Sequence, residues 1–315
     1  MKEDKIYIAG HGGLVGSTVL DVFQRRGYSN IITRTSSELD LRNQQEVVSF
    51  ITAEQPQAII LAAARVGGIL ANDQYPYQFL YDNLAIQNNV INAAHENDVE
   101  QLVFLGSSCI YPRNASQPLK EEYLLTGALE PTNQWYAVAK IAGLKLCEAL
   151  GKQYGRNYFT LMPTNLYGPR DNFDLETSHV VPAMIRKFHE ASENGHQPVR
   201  LWGTGRPRRE FLFVQDLAEA VLFAYENRLG DSMYNIGTGE DLSIKKLAKI
   251  VQQITGHQGD IVWDKSKPDG TPRKLLDVSK IHSEGWHHRT DLKTGLERTY
   301  RWFINHRNAL KEVTI

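Results

Sequence analysis

Ile6-Tyr-Ile-Ala-Gly-His-Gly-Gly-Leu-Val-Gly16 decides the fold. Ile6 to Ala9 read as a short buried strand, and a helix to about Arg26 follows the glycines. Gly10 permits the tight turn between them, Gly13 lets the backbone approach a pyrophosphate, and Gly16 allows the helix to pack closely on the strand. The free N–H groups and positive dipole end of that helix would then face the phosphates. The plainer alternative is a glycine-rich strand-to-helix turn with no ligand.

Outward from this turn, short apolar runs alternate with helical patterns. Strands are expected at residues 31–33, 58–63, 101–105 and 158–162, and helices at 44–54, 78–97 and 136–154. Such alternation implies right-handed crossovers and a parallel sheet covered on both faces. The expected class is therefore α/β, a Rossmann-type doubly wound sheet that binds its ligand at the carboxyl ends of the strands. After Pro163 the rhythm loosens. Residues 169–178, 203–209 and 265–274 read as loops, and 180–191, 215–226, 244–255 and 292–305 as helices. Residues 1–165 are expected to form the dinucleotide-binding domain, completed by segments from 210–240. Residues 166–315 would form a smaller C-terminal α/β lobe for substrate.

The 315 residues carry a net charge of −1, which argues against non-specific nucleic-acid binding. Two cysteines, Cys109 and Cys147, give no disulfide framework and suit a reducing, cytoplasmic setting. No secretory signal is expected at the N-terminus, nor an apolar run long enough to span a bilayer.

Tyr136 and Lys140 lie one helical turn apart on one face. A phenol ordinarily titrates near about 10, and a neighbouring ammonium favours its phenolate, so the pair suits proton exchange with a sugar or alcohol oxygen. Leu105-Gly-Ser-Ser-Cys109 ends the fourth strand, where Ser107 or Ser108 could donate to a substrate carbonyl while the other caps the turn. Cys109 is either an acid–base group or a small buried apolar side chain, whereas Cys147 reads as packing. His179 opens a helix, where a capping or surface role is the usual one. Trp202 and Arg206, Arg208 and Arg209 share a glycine-rich loop suited to stacking on a base and pairing with phosphates, or simply to solvent. Asp269 sits in a Pro-Asp-Gly-Thr-Pro turn that its own turn chemistry explains. Arg34 with Thr35 and Ser36, and no carboxylate before Glu38, favours NADP over NAD, although Arg34 also reads as a solvated strand-end cation. His287 and His288 lack partners at metal-ligand spacing, so no metal is expected.

The glycine turn, Ser107/Tyr136/Lys140 and the Trp202 loop together resemble the extended short-chain dehydrogenases/reductases. More narrowly, the chain is similar to the GDP-L-fucose synthase family, the 3,5-epimerase-4-reductases of GDP-4-keto-6-deoxy-D-mannose. The resemblance covers nearly the full length, through Ala9-Gly-His-Gly-Gly-Leu-Val-Gly16, Val66-Gly-Gly68, Gly106-Ser-Ser-Cys-Ile-Tyr-Pro112 and Glu130-Pro-Thr-Asn133. It continues through Met162-Pro-Thr-Asn-Leu-Tyr-Gly-Pro169, Asp171-Asn-Phe173, Ser178-His-Val180 and Lys267-Pro-Asp-Gly-Thr-Pro-Arg-Lys-Leu-Leu-Asp277. It implies that Ser107, Tyr136 and Lys140 carry the reduction, with Cys109 and His179 as base and acid of the epimerisation. The cofactor set it implies is Gly10, His11, Gly12, Gly13, Leu14, Val15, Gly16, Arg34, Ser36, Asp40, Leu41, Leu105, Gly106, Ser108, Lys140, Pro163, Thr164, Asn165, Leu166 and His179. Ser107, Lys187, Trp202, Arg209 and Asp269 would hold the GDP-sugar, in a homodimer using NADP(H). Family members commonly carry arginine at the positions of Gly12 and Ser36, which leaves NAD(H) open as an alternative. GDP-L-colitose synthases, which epimerise only C5 of the 3,6-dideoxy sugar, fit the same motifs.

Overall fold

Each residue of the first strand is buried, because helices cover both faces of the sheet it belongs to. The computed structural model describes residues 2–307 except Glu176 and Pro268, which fall in two of the expected loops. The chain runs β1 (Ile6–Ala9), α1 (Leu14–Arg25), β2 (Ile31–Ile32), α2 (Gln44–Glu54), β3 (Ala58–Leu61), α3 (Ile69–Gln74) and α4 (Pro76–Glu96). It continues with β4 (Gln101–Leu105), α5 (Gln134–Tyr154), β5 (Asn157–Pro163), β6 (Asn165–Tyr167), α6 (Val180–Glu193), β7 (Val199–Trp202), β8 (Arg208–Arg209) and β9 (Phe211–Phe213). Then come α7 (Val214–Asn227), β10 (Met233–Ile236), β11 (Leu242–Ser243), α8 (Ile244–Thr255), β12 (Ile261–Asp264), β13 (Arg273–Lys274), α9 (Ser279–Ser283) and α10 (Leu292–His306).

Six strands form one parallel sheet in the order β2-β1-β3-β4-β5-β10. From β2 at one edge the chain crosses back over β1 to reach β3. That reversal opens a crevice beyond the carboxyl ends of β1 and β3, where ligands of doubly wound sheets bind. Val19, Val22 and Phe23 of α1 and Leu217 to Tyr225 of α7 fill one side of the sheet. Val47 and Ile51 of α2, Val90 to Ala94 of α4 and Cys147 of α5 fill the other. A separate core joins Ile185 and Phe188 of α6, Leu247 and Val251 of α8, and Leu296 and Phe303 of α10.

β3 stops at Leu61, two residues short of the expected end. The half-buried Ala62 and Ala63 instead pass under the glycine turn, so close that a Cβ on Gly10 would lie 2.6 Å from Ala63 N. Three of the strands of the second lobe, β7, β8 and β13, pair only with one another or with β11 and β12. Two residues make β8 and two make β13, within the runs expected to be loops, too short for any alternation to register. Among the described residues no helix is long and apolar enough to cross a membrane.

Candidate active site

The glycine turn is built as its sequence demands. Gly10 has φ +89°, a left-handed value that disfavours other residues, and its carbonyl accepts from Gly13 N at 3.1 Å. A Cβ on Gly16 would collide with the Gly10 carbonyl, so α1 can start this close to β1 only without one. A Cβ on Gly12 would meet nothing within 4 Å, so space lies open over the helix N-terminus. His11 Nδ1 is buried there without a hydrogen-bond partner among the described residues. Open space, helix amides and an orphaned ring nitrogen together fit a dinucleotide pyrophosphate.

Beyond β2, Arg34 is half-buried and engaged. Its guanidinium donates to Glu54 at 2.9 Å and to the Thr33 carbonyl at 2.8 Å, and stacks on Phe50. Thr35, Ser36 and Ser37 are exposed beside it, while the Glu38 carboxylate turns back to accept from Thr35 N and Oγ1, both at 2.7 Å. Asp40 pairs with Arg42 (2.8 Å), and the Leu41 carbonyl accepts from Asn89 of α4 at 3.0 Å, which fixes this edge of the crevice.

α5 brings the reduction groups over the end of β4. A Cβ on Gly143 would clash with Phe104, so the helix lies tight on the sheet. Lys140 is only 3% exposed; its Nζ donates to the Leu105 carbonyl at 2.8 Å and lies 5.7 Å from the Tyr136 ring centre. Burial lowers its pKa to about 8. The Tyr136 phenol departs from the sequence argument. Burial, helped by Cys109, pushes it above its ordinary value, so without ligand it is a protonated donor and not a phenolate. The reason is geometric: the lysine head is tied to a carbonyl, and the ring sits in the wall of the cleft.

Beyond β4, Ser107 caps a single 3₁₀ turn, its Oγ accepting from Cys109 N at 3.4 Å, and stays half-exposed to the cleft. Ser108 is buried within that turn. Cys109, 8% exposed, has its thiol pushed up by burial, against opposing pulls from Lys274, the Ser107 hydroxyl and Lys140. Cys147 is wholly buried on the far face of α5.

Across the cleft, side chains fold the loop before α6. Asn172 Oδ1 accepts from Asp174 N (2.9 Å), and Asp174 Oδ1 accepts from Thr177 N and Oγ1 (both 2.8 Å). His179 follows as the N-cap residue of α6, exposed yet partly desolvated by the surrounding protein. That desolvation, with Lys274 nearby, lowers its pKa and keeps the ring neutral. Ser178 Oγ and Asn133 Oδ1 are buried without partners among the described residues, as donors and acceptors awaiting a polar ligand would be.

The second lobe presents cations. Arg209, half-buried, lies opposite Lys274 in the β8–β13 register, and burial lowers its pKa. Arg208 instead turns away to Asp241, which also binds Arg273, and Arg206 is exposed. Trp202 is 45% exposed with Lys267 Nζ 5.3 Å from its ring centre. Asp269 accepts from Thr204 N (2.6 Å) and Oγ1 (2.7 Å), pinning the loop after Trp202. Lys187 of α6 makes one long contact, 3.4 Å, to the Arg200 carbonyl. Thr164 and Asn165, after β5, donate to the Glu210 carbonyl at 3.3 and 2.8 Å.

Two residues escaped the sequence argument. Glu210 is fully buried, and its carboxylate accepts from Thr238 N (2.6 Å), Gly239 N (2.8 Å) and Leu276 N (2.9 Å), joining three segments under the cleft. Lys274 lines the same pocket as Cys109. In the sequence it lies within the run from Lys267 to Asp277, and only the two-residue pairing of β13 with β8 places it beside Arg209.

Residues 6–237 match the NAD dependent epimerase/dehydratase family. The chain is 52% identical over 303 residues to "GDP-L-fucose synthase 1" of Arabidopsis thaliana, covering 96% of this chain and 94% of that protein. It is 48% identical over 320 residues to "GDP-L-fucose synthase" of Escherichia coli (strain K12), covering 99% and 100%. "GDP-L-colitose synthase" of Yersinia pseudotuberculosis is more distant, 39% identical over 96% of this chain and 99% of its own. Among solved structures, an NADP-bound GDP-L-fucose synthetase from Naegleria fowleri superposes with a TM-score of 0.88 at 25% identity, covering 99% and 97%.

Proposed function

The chain belongs to the NAD dependent epimerase/dehydratase family and, within it, to the GDP-L-fucose synthases, and from that premise we propose how its cleft converts GDP-4-keto-6-deoxy-D-mannose to GDP-L-fucose. The observation that carries the reading is that Lys274 lies within electrostatic reach of both Cys109 and His179, while Tyr136, one turn from Lys140, feels Cys109. This neighbourhood supports assigning Ser107, Tyr136 and Lys140 to one proton-transfer set and Cys109 with His179 to another.

The C4 ketone acidifies the C–H bonds at C3 and C5, since each carbanion is delocalised as an enolate. One side chain lifts the proton and another returns one from the opposite face, a division that Cys109 and His179 fill. Ser107 and Tyr136 hydroxyls donate to the enolate oxygen. Reduced nicotinamide, when bound, supplies hydride to C4. Tyr136 gives its proton to the C4 oxygen, and Lys140 stabilises the phenolate left behind. Lys187, Trp202, Arg209 and Asp269 hold the GDP-sugar from the second lobe.

Proton NMR of the product made in D₂O tests the reading. Deuterium at both C3 and C5 of a GDP-L-fucose product is expected. No turnover on this substrate, with C5-only labelling of the 3-deoxy sugar, would point to colitose synthesis instead.

For the cofactor, NADPH is favoured by Arg34 and the exposed hydroxyls of Thr35 and Ser36, with Glu38 turned back on its own loop. Arg34→Met should raise the KM for NADPH about tenfold and leave that for NADH nearly unchanged, since hydrogen bonds to charged groups contribute about 1.5–3 kcal/mol. Equal losses for both cofactors would reduce Arg34 to an anchor for Glu54.

The outer face of α4 and α5 exposes the stacked pair Tyr77 and Tyr81, together with Trp135 and Val138. A homodimer covering that face is the assembly proposed, and a monomer in sedimentation would overturn it. Cys109 and Cys147 are both unpaired and buried, in keeping with a reducing, cytoplasmic setting.

A further inference from the structure

Lys274 has no part in the mechanism above, yet it is a half-buried cation with no side-chain hydrogen bond or ion pair among the described residues. Its strand β13 runs parallel to β8, with Lys274 opposite Arg209 and Arg273 opposite Arg208. Arg273 and Arg208 both turn to Asp241, so that half of the pairing is neutralised. Lys274 points the other way. With Ser108, Cys109, Glu130 and Asn133 it lines a small pocket beyond β4. A half-buried lysine with no direct hydrogen bond gives up part of its hydration, which only charges further off, such as Glu130, offset.

Resting on the reading of Cys109 as an epimerisation group, we propose that Lys274 is the positioning residue that eases ionisation of the Cys109 thiol, so that its thiolate can lift the proton from the sugar. In that step the thiolate lone pair forms the S–H bond as the C–H bond breaks. The C–H electrons move into the C4 carbonyl, giving the enolate. The same cation disfavours a charged His179.

The charged and titratable surroundings of the thiol support this. From α5 come Tyr136 and Lys140, the latter committed to the Leu105 carbonyl. From the loop before α5 comes Glu130, whose carboxylate accepts from Thr132 N (3.0 Å) and faces Lys274. From β8 comes Arg209, and at the head of α6 stands His179. Among these, Lys274 is the strongest influence acting against the desolvation of Cys109.

The test is alkylation of Cys109 by iodoacetamide across pH, on cofactor-bound wild type and Lys274→Met, with Cys109→Ser as the background. The inflection should rise by roughly one pH unit in Lys274→Met, as expected for loss of a nearby opposite charge. Deuterium exchange at C3 and C5 should move in parallel. Lys274→Arg should keep the wild-type profile. Lys274→Gln is carried alongside and should match Lys274→Met, so that a poorly folding Met variant leaves the comparison intact. Superimposed alkylation profiles in the wild type and the neutral variants would overturn the proposal. So would a raised KM alone, which would make Lys274 a phosphate clamp. Alkylation requires no sugar, so failure of the wild type on the GDP-keto-sugar would sink the functional reading without deciding this one.

Discussion

Replacing Tyr136 by Phe should leave cofactor binding in place and slow reduction of the C4 ketone by about 10³-fold, within the range a positioned general acid supplies. The phenol is the donor because burial holds it protonated at neutral pH, and its helix sets it over the end of β4. Lys140 gives the reaction its pH dependence. The Lys140 pKa, about 8, lies below its ordinary value of 10.5, so the ammonium is present below about pH 8 and lost above it. The neutral amine no longer stabilises the phenolate that proton transfer leaves behind. Reduction should therefore be level near neutrality and fall above about pH 8, and Lys140→Met should be slow throughout without that inflection. Stopped-flow absorbance of the reduced nicotinamide reads both. A Tyr136→Phe enzyme keeping a tenth of the wild-type rate would transfer the acid role to Ser107.

Cys109→Ser should slow deuterium uptake at C3 and C5 by at least about 100-fold, while the dissociation constant for NADPH stays unchanged. A serine hydroxyl keeps the shape of the site but gives up its proton far less readily than a thiol. Cys147→Ser supplies the contrast. That thiol packs on the far face of α5, so its loss should reduce stability and leave exchange per folded enzyme intact. Equal exchange rates in the wild type and Cys109→Ser would remove Cys109 from the chemistry and leave His179 alone on that side.

The first half of the molecule is legible because its signals are long and local. The glycine turn, the α5 helix with Tyr136 and Lys140, and the apolar strands β1, β3 and β4 each follow from residues within one element. The second half depends on pairings between distant two- to four-residue strands. Arg209 and Lys274 are brought together by β8 and β13, which no periodicity announces. Glu210 was invisible for the same reason, since its partners Thr238, Gly239 and Leu276 come from remote segments. Spacing reports that Tyr136 lies near Lys140 but not the burial that raises the phenol's pKa.

The sixth strand of the sheet, β10, has a consequence for how the protein is made. Until residue 236 has left the ribosome, the edge of β5 lacks its neighbour. Six of the seven residues of β5 are buried in the finished protein, so a nascent chain presents a sticky, unpaired rim during synthesis of more than seventy further residues. Expression of residues 1–165 alone should give insoluble material, and a fragment ending just beyond β10 should be the first to remain in solution.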